Sequence, residues 1–147
     1  YDSVMIHLRD GPWNANTDMS SGKKLRKMYN NLQAFWPGLQ VLIGDALPAT
    51  DTMRAFHLVR QSMDFTPEHF NYRTWKLKKS GSGYNTYPLR PELIESTYMM
   101  HEYSKNNNRY SGVSSSWLWA GKEMINSINP TRNSEFTTVI KTYESPY

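Results

Sequence analysis

The stretch YPLRPELIEST, residues 87–97, places a proline where an arginine, two carboxylates and a helical apolar period begin. Proline suits the first position of a helix, because the N–H it lacks would have no partner there and its fixed φ is already helical. Glu92 then falls in the first turn, with Glu95 three residues on and on the same face. The unpaired N–H groups and positive dipole end of such a helix favour ionised carboxylates, and Arg90 pushes the same way. Acidic residues in a first turn are ordinary helix chemistry. An ionised, arginine-oriented carboxylate can also take a proton from water or a hydroxyl, hydrogen-bond a polyol, or hold a hydrated hard cation. Spacing does not choose among these.

Downstream, Ile94, Tyr98 and His101 continue the helical period to about Ser104, and KNNNRYSGVSSS (105–116) is a polar break. Ser116 is placed to cap a last helix bearing Trp117, Ala120, Met124 and Ile128, and EFTTVIK (135–141) alternates like a short strand. Upstream, residues 64–86 carry Pro67, Gly81 and Gly83 without a sustained period, which predicts a long excursion or hairpin. LPATDTMRAFHLVRQSM (47–63) predicts a helix, with Met53, Phe56 and Val59 or Arg60 at helical spacing and Thr50 or Asp51 as its cap. Before it, Leu25, Met28, Leu32 and Phe35 predict a helix from Ser20 or Ser21 that breaks or kinks at Pro37–Gly38, followed by an apolar run ending at Gly44. Tyr1, Val4, Met5 and Leu8 make a first short helix stopped by Gly11–Pro12. The expectation is helices in antiparallel succession with small β excursions at their ends.

The chain has 147 residues, 38% hydrophobic and 14% aromatic, enough for one domain with a sizeable core. It has no cysteine, which excludes disulfides, thiolate metal sites and a cysteine nucleophile. It begins at Tyr1 without a charged-then-apolar leader and has no apolar run long enough to span a bilayer; it reads as an internal segment or a processed product. No Asn-x-Ser/Thr sequon occurs. The net charge of +4 concentrates in two clusters, Lys23, Lys24, Arg26 and Lys27, then Arg73, Lys76, Lys78 and Lys79, the second interleaved with Tyr72 and Trp75. Such clusters occur in nucleic-acid binders and equally on solvated helix ends and loops; the reading here is no nucleic-acid partner.

YPLRPELIEST, taken with NLQAFWPGLQVLIGD (31–45), resembles glycoside hydrolase family 47, the α-1,2-mannosidases, and most closely its ER degradation-enhancing branch. The order also matches: YDSVMIHLRDGPW, MSSG, WPGLQ, TPEHFN, LRPE and INSIN…TRNSEFTTVIK run in sequence along nearly the whole chain. The resemblance implies an all-α fold, a fragment of an (α/α)7 barrel with small β-hairpin excursions, in which residues 1–147 form one incomplete catalytic domain. It also implies an inverting, Ca2+-dependent hydrolysis that trims high-mannose N-glycans of misfolded glycoproteins in the lumen of the endoplasmic reticulum. In inverting hydrolysis an acid protonates the leaving oxygen and a carboxylate activates water from about 6.5–9.5 Å away.

By the same resemblance Glu92 is the base-side glutamate, Arg90 faces the sugar, and Glu95 is the second glutamate, near the hydrated calcium. Glu68 falls on the family's Pro-Glu loop as a further pocket carboxylate, with His69 beside it. Phe35 is a candidate sugar-stacking ring, although an aromatic pair such as Phe35–Trp36 beside a helix break is more often core. No metal ligand is expected within the segment except Glu92 and Glu95 acting through water. The family's general acid is expected upstream of Tyr1 and its calcium-binding threonine downstream of Tyr147, so the isolated segment is expected to be inactive.

Three departures stand out. Where many members have an aspartate that positions water, this chain has Asn30 followed by Asn31, and an amide cannot take a proton. Ser134–Glu135 replaces the Cys-Gly of many members, and the polar stretch after Tyr103 is longer than the family's usual turn. Asn30 therefore motivates a second reading, a lectin-like relative that holds high-mannose glycans without cutting them; a basic anion-binding module is the third. His7, His57, His69 and His101 show no metal-ligand spacing, and Trp117 and Trp119, two apart, predict one buried ring at most.

Overall fold

The computed structural model describes residues 1–77, 86–107, 111–131 and 140–141. Among these residues five α-helices alternate with short antiparallel ribbons. Helix α1 (Asp2–His7) leads into a hairpin of β1 (Arg9–Asp10) and β2 (Trp13–Asn14). Its two-residue turn needs the positive φ of Gly11, 63°; the first helix has already ended at His7, where the chain enters β1. Strands β3 (Asn16–Thr17) and β4 (Lys24–Arg26) form a second ribbon.

Residues 20–35 are not the predicted helix. Strand β5 (Met28–Asn30) and a 3-10 turn (Asn31–Phe35) occupy its second half. The Asp18 carboxylate accepts from the N–H groups of Ser20 and Ser21 at 3.2 and 2.7 Å, and Gly22 adopts a φ of 67°, so local side-chain bonding and a left-handed turn displace helix. The supposed apolar stripe faces the wrong way: Leu25, Leu32 and Phe35 are exposed, while Tyr29, Asn31 and Ala34 are buried. Pro37 and Gly38 do not end a helix either. They open one, α2 (Trp36–Leu42), with Pro37 in the first turn, where it displaces no hydrogen bond.

Helix α3 (Ala46–Met63) is the central element. It starts four residues before the expected cap at Thr50, and it buries Ala49, Met53, Phe56, Arg60 and Met63 at helical spacing. The excursion after it is a hairpin of β6 (His69–Asn71) and β7 (Lys76–Leu77), with β6 paired to β5 in the register Met28↔Asn71, Tyr29↔Phe70, Asn30↔His69. Strand β8 (Thr86–Tyr87) pairs with β9 (Ile140–Lys141), the described part of the strand expected over 135–141. Helix α4 (Glu92–Asn106) begins just after Pro91, which is its cap rather than its first residue. Helix α5 (Ser114–Ile128) begins two residues before the expected Ser116 and packs along α4. Trp117 is 7% exposed and Trp119 54%, one buried and one open, as their spacing predicts. Lys78, Lys79, Gly81, Gly83 and Ser134–Glu135 lie outside the described residues, as do residues 108–110 of the polar break.

One kind of packing holds the ribbons to the helices and another joins helix to helix. An aromatic cluster joins β2, β5, α3 and the β6–β7 hairpin: Trp13 stacks on Tyr72 at 4.9 Å and leans on Phe56 at 5.6 Å, and Tyr29 meets Phe56 at 4.6 Å. Tyr72 and Trp75, interleaved with basic residues in the sequence, are thus engaged in packing, Trp75 edge-on to Phe70 at 5.0 Å. Among the helices, α2 crosses α4 so closely that a Cβ on Gly38 would lie 2.8 Å from Ser96 Oγ and 2.9 Å from Met99 Sδ. Ser96 Oγ donates to the Ala34 carbonyl at 2.5 Å and accepts from the Gly38 N–H at 3.2 Å, so the crossing is also hydrogen-bonded.

Candidate active site

The β5–β6 register fixes where the predicted site residues go. Side chains alternate along a strand, so Tyr29 and Phe70 turn into the core while Asn30 and His69 share the opposite face. Glu68, one residue before His69, is anchored twice through its backbone: its N–H donates to the Thr86 carbonyl at 2.9 Å and its carbonyl accepts from the Asn31 N–H at 3.0 Å. The Glu68 carboxylate then receives both arms of Arg90, Nε to Oε2 at 2.7 Å and an Nη to Oε1 at 2.8 Å. This is a bidentate, charge-assisted pair, and it joins the two blocks YPLRPE and TPEHFN across 22 residues of chain.

Arg90 is held in turn. The Tyr87 hydroxyl donates to the Arg90 carbonyl at 3.0 Å, and Leu89 between them adopts a φ of 54°, in the left-handed region that a branched side chain enters only against steric resistance. That strain sits one residue from the guanidinium, where it directs the chain into the Arg90–Pro91–Glu92 corner. Glu68 hydrogen bonding raises the pKa of Arg90 above its ordinary value, with the charges of Glu68 and Glu92 adding to it, so the guanidinium is a fixed cation.

Glu92 opens α4 on this corner. Its Oε2 is buried and has no hydrogen-bond partner among the described residues. Two phenols register its charge. Tyr29, fully buried, has its pKa driven well above 10 by burial first and then by Glu92, Tyr87 and Glu68; Tyr87 is raised by burial and then by Glu92. Glu92, Glu68, Arg90, Tyr29 and Tyr87 therefore share one electrostatic neighbourhood. Glu95 lies one turn along the same helix and is exposed.

The other candidates separate from this cluster. His69 faces the far side of the ribbon, where its Nε2 meets Asn30 Nδ2 at 3.0 Å, and it lines a different groove. Asn30 also caps the 3-10 turn, its Oδ1 accepting from the Leu32 N–H at 2.9 Å. Phe35 is half-exposed, its ring edge-to-face with Trp36 at 6.1 Å. Sequence reading missed Tyr29, Tyr87 and the strained Leu89. The paired prolines of YPLRP, which bracket Leu89–Arg90 with two fixed φ angles, were the available signal for a rigid corner.

A helical scaffold whose ribbons deliver a carboxylate–guanidinium pair to the start of a helix, beside a buried carboxylate, defines a polar, acid-lined site on an all-α frame. The sequence matches the model of glycosyl hydrolase family 47 over residues 4–141, and the chain belongs to that family. Among curated proteins, it is 41% identical to alpha-mannosidase I MNS4 of Arabidopsis thaliana over 87% of this chain and 19% of that protein. To alpha-mannosidase I MNS5 of the same plant it is 35% identical over 88% of this chain and 21% of that protein. To the ER degradation-enhancing alpha-mannosidase-like protein 3 of Xenopus laevis it is 33% identical over 88% and 13%. The chain thus spans about a fifth of the length of the first of these relatives.

Proposed function

We propose that this segment supplies the base-side wall of an α-1,2-mannosidase that trims high-mannose N-glycans of misfolded glycoproteins in the lumen of the endoplasmic reticulum. One observation carries the reading: the buried, partnerless Oε2 of Glu92 beside the Glu68–Arg90 pair. A carboxylate oxygen held in a fixed corner without a protein donor is suited to accept a proton from water that attacks a sugar, while an arginine locked by Glu68 offers its remaining N–H to sugar hydroxyls. The reaction is inverting, with the acid contributed from elsewhere in the protein, so the isolated segment is inactive.

The complete domain is an (α/α)7 barrel. The support is in the exposed apolar side chains of the helices: Leu42, Leu47, Leu58, Tyr98, Leu118, Trp119 and Ile125 all lie open on α2 to α5. Helices bury such faces against further helices.

Calcium fits these residues only in part. Among the described residues no three acidic or histidine side chains converge on one point, so the segment holds no coordination cage. Glu92 and Glu95, one turn apart, would hold the ion through its water shell, and there it supplies a fixed positive charge that orders water and sugar hydroxyls.

The test is release of mannose by the full-length protein that carries this sequence, with and without EDTA, and after Glu92→Gln. Glu92→Gln is expected to lower kcat by about 10²–10⁴ with the fold intact; wild-type turnover in that variant would remove Glu92 from the role. A non-cutting glycan binder is the second reading, favoured by Asn30, whose amide is committed to Leu32 and His69. Wild-type protein that binds high-mannose glycan but releases mannose only after Asn30→Asp would establish it.

A further inference from the structure

The two basic clusters lie more than forty residues apart in the sequence, and the fold brings Arg26 and Lys27 of the first and Arg73 of the second to one groove of about 550 Å³. Arg26, Arg73, Asn16, Asn71 and His69 line it, and Met28, His69 and Asn71 stand on the face of the β5–β6 ribbon that looks away from the Tyr29–Phe70 core. The register explains the convergence. Beyond Met28↔Asn71 the Tyr72 N–H still donates to the Lys27 carbonyl, at 3.2 Å, which holds the end of β4, with Arg26, beside the turn that carries Arg73. The Asn71 carbonyl oxygen Oδ1 accepts from the Arg73 and Thr74 N–H groups, each at 3.0 Å, and so fixes the turn that presents Arg73.

Like charges that line one groove repel, and an anion between them relieves the repulsion. Asp10 does not relieve it, because it pairs with Lys27 at 2.9 Å and Lys24 at 3.4 Å. Among the described residues neither Arg26 nor Arg73 forms an ion pair, and no acidic side chain lines the groove. Two uncompensated guanidiniums call for a dianion with several acceptor oxygens, which a single carboxylate is not. The remaining space, with the amides of Asn16 and Asn71, has the size and polarity for a hydroxylated group of sugar dimensions.

We propose that this groove binds a phosphate monoester, its phosphate between Arg26 and Arg73 and its polar remainder on the asparagine amides. The groove shares His69 with the sequence-predicted site but none of Glu68, Arg90 and Glu92, so the proposal does not rest on the mannosidase reading. Calorimetric titration of the full-length protein at constant ionic strength tests it, with inorganic phosphate, glucose 6-phosphate, glucose and poly-L-glutamate as probes. Both phosphates are expected to bind, and the Arg26→Gln/Arg73→Gln double variant to lose at least tenfold in affinity for each. Tighter binding of glucose 6-phosphate would assign a sugar phosphate, and equal or tighter binding of inorganic phosphate would assign the free ion. Unchanged affinity in the double variant overturns the proposal, as does loss of phosphate binding in Glu92→Gln, which would put the anion in the other site. Glucose binding as well as glucose 6-phosphate, or poly-L-glutamate displacing it at lower anion concentration, also overturns the proposal, the latter in favour of an acidic protein surface.

Discussion

Two proline-bearing helix starts, Trp36–Pro37–Gly38 and Arg90–Pro91–Glu92, lie on helices that pack against each other, and they serve different ends. At the first, every residue is buried, and the glycine lets α2 approach α4 to within contact of Ser96. At the second, the side chains flanking the proline are charged and partly open, and the preceding backbone is strained at Leu89. The same helix-starting chemistry thus builds a packing joint in one place and a charged corner in the other. What separates them is the group left without a partner among the described residues. Ser96 bonds the backbone of the joint, where the neutral Trp36 Nε1 stays buried without an acceptor; the corner leaves an ionisable oxygen, Glu92 Oε2, without a donor.

Substitutions can separate the two. Gly38→Val should be the most damaging, because its Cβ meets Ser96 Oγ and Met99 Sδ inside 3 Å and the Ser96 Cα at 3.4 Å. Overpacking against backbone costs roughly 1–3 kcal/mol, and a branched side chain in a helix start adds to it. The expected result is a large fall in the urea midpoint of the full-length protein; an unchanged midpoint would mean that the crossing is loose. At the other corner, Arg90→Lys keeps the charge but cannot reproduce the two-armed contact with Glu68. Here mannose release should fall about ten- to a hundredfold, roughly 1.4–2.8 kcal/mol in transition-state terms, with little change in the urea midpoint. If instead stability fell and activity per folded molecule held, the Glu68–Arg90 pair would be a structural brace.

The sequence showed the second corner better than the first. Arg90, Glu92 and the helix after them were legible because cap chemistry is local, and Glu68 was placed near them by motif order alone. That Glu68 and His69 would diverge was not foreseen, although both lie in one short motif: the alternation of β6 sends them to opposite faces, and a strand that short leaves almost no periodic trace. Residues 20–35 misled for the complementary reason. Leu25, Met28, Leu32 and Phe35 do recur at helical spacing, but the inward residues are Tyr29, Asn31 and Ala34, chosen by pairing with β6 and contact with α4, both remote in sequence. Pro37 was read as a stop because proline ends helices as readily as it begins them, and only the burial of Gly38 against Ser96 tells which.

A titration probes the packing side of the comparison with the smallest expected effect. His57 on α3 is buried, its Nε2 3.0 Å from Thr97 Oγ1 on α4. Thr97 already donates its hydroxyl proton to the Leu93 carbonyl at 2.7 Å, so Nε2 carries a hydrogen and donates to Thr97. Burial, then the charge of Arg60, lowers the pKa of His57 from 6.5 to about 4. Above about pH 6.5 both folded and unfolded chains hold a neutral ring, and His57 adds no pH dependence. Between there and about pH 4 the unfolded chain takes up a proton that the folded one refuses, so stability falls with pH by about 1.4 kcal/mol per unit, then levels off below the folded pKa. Urea midpoints of the full-length protein at pH 7.5 and 5.5 should therefore differ by more in the wild type than in His57→Gln. Equal pH slopes in the two proteins would show that the α3–α4 contact opens to admit the proton, and that this joint, unlike the one at Gly38, is not closed.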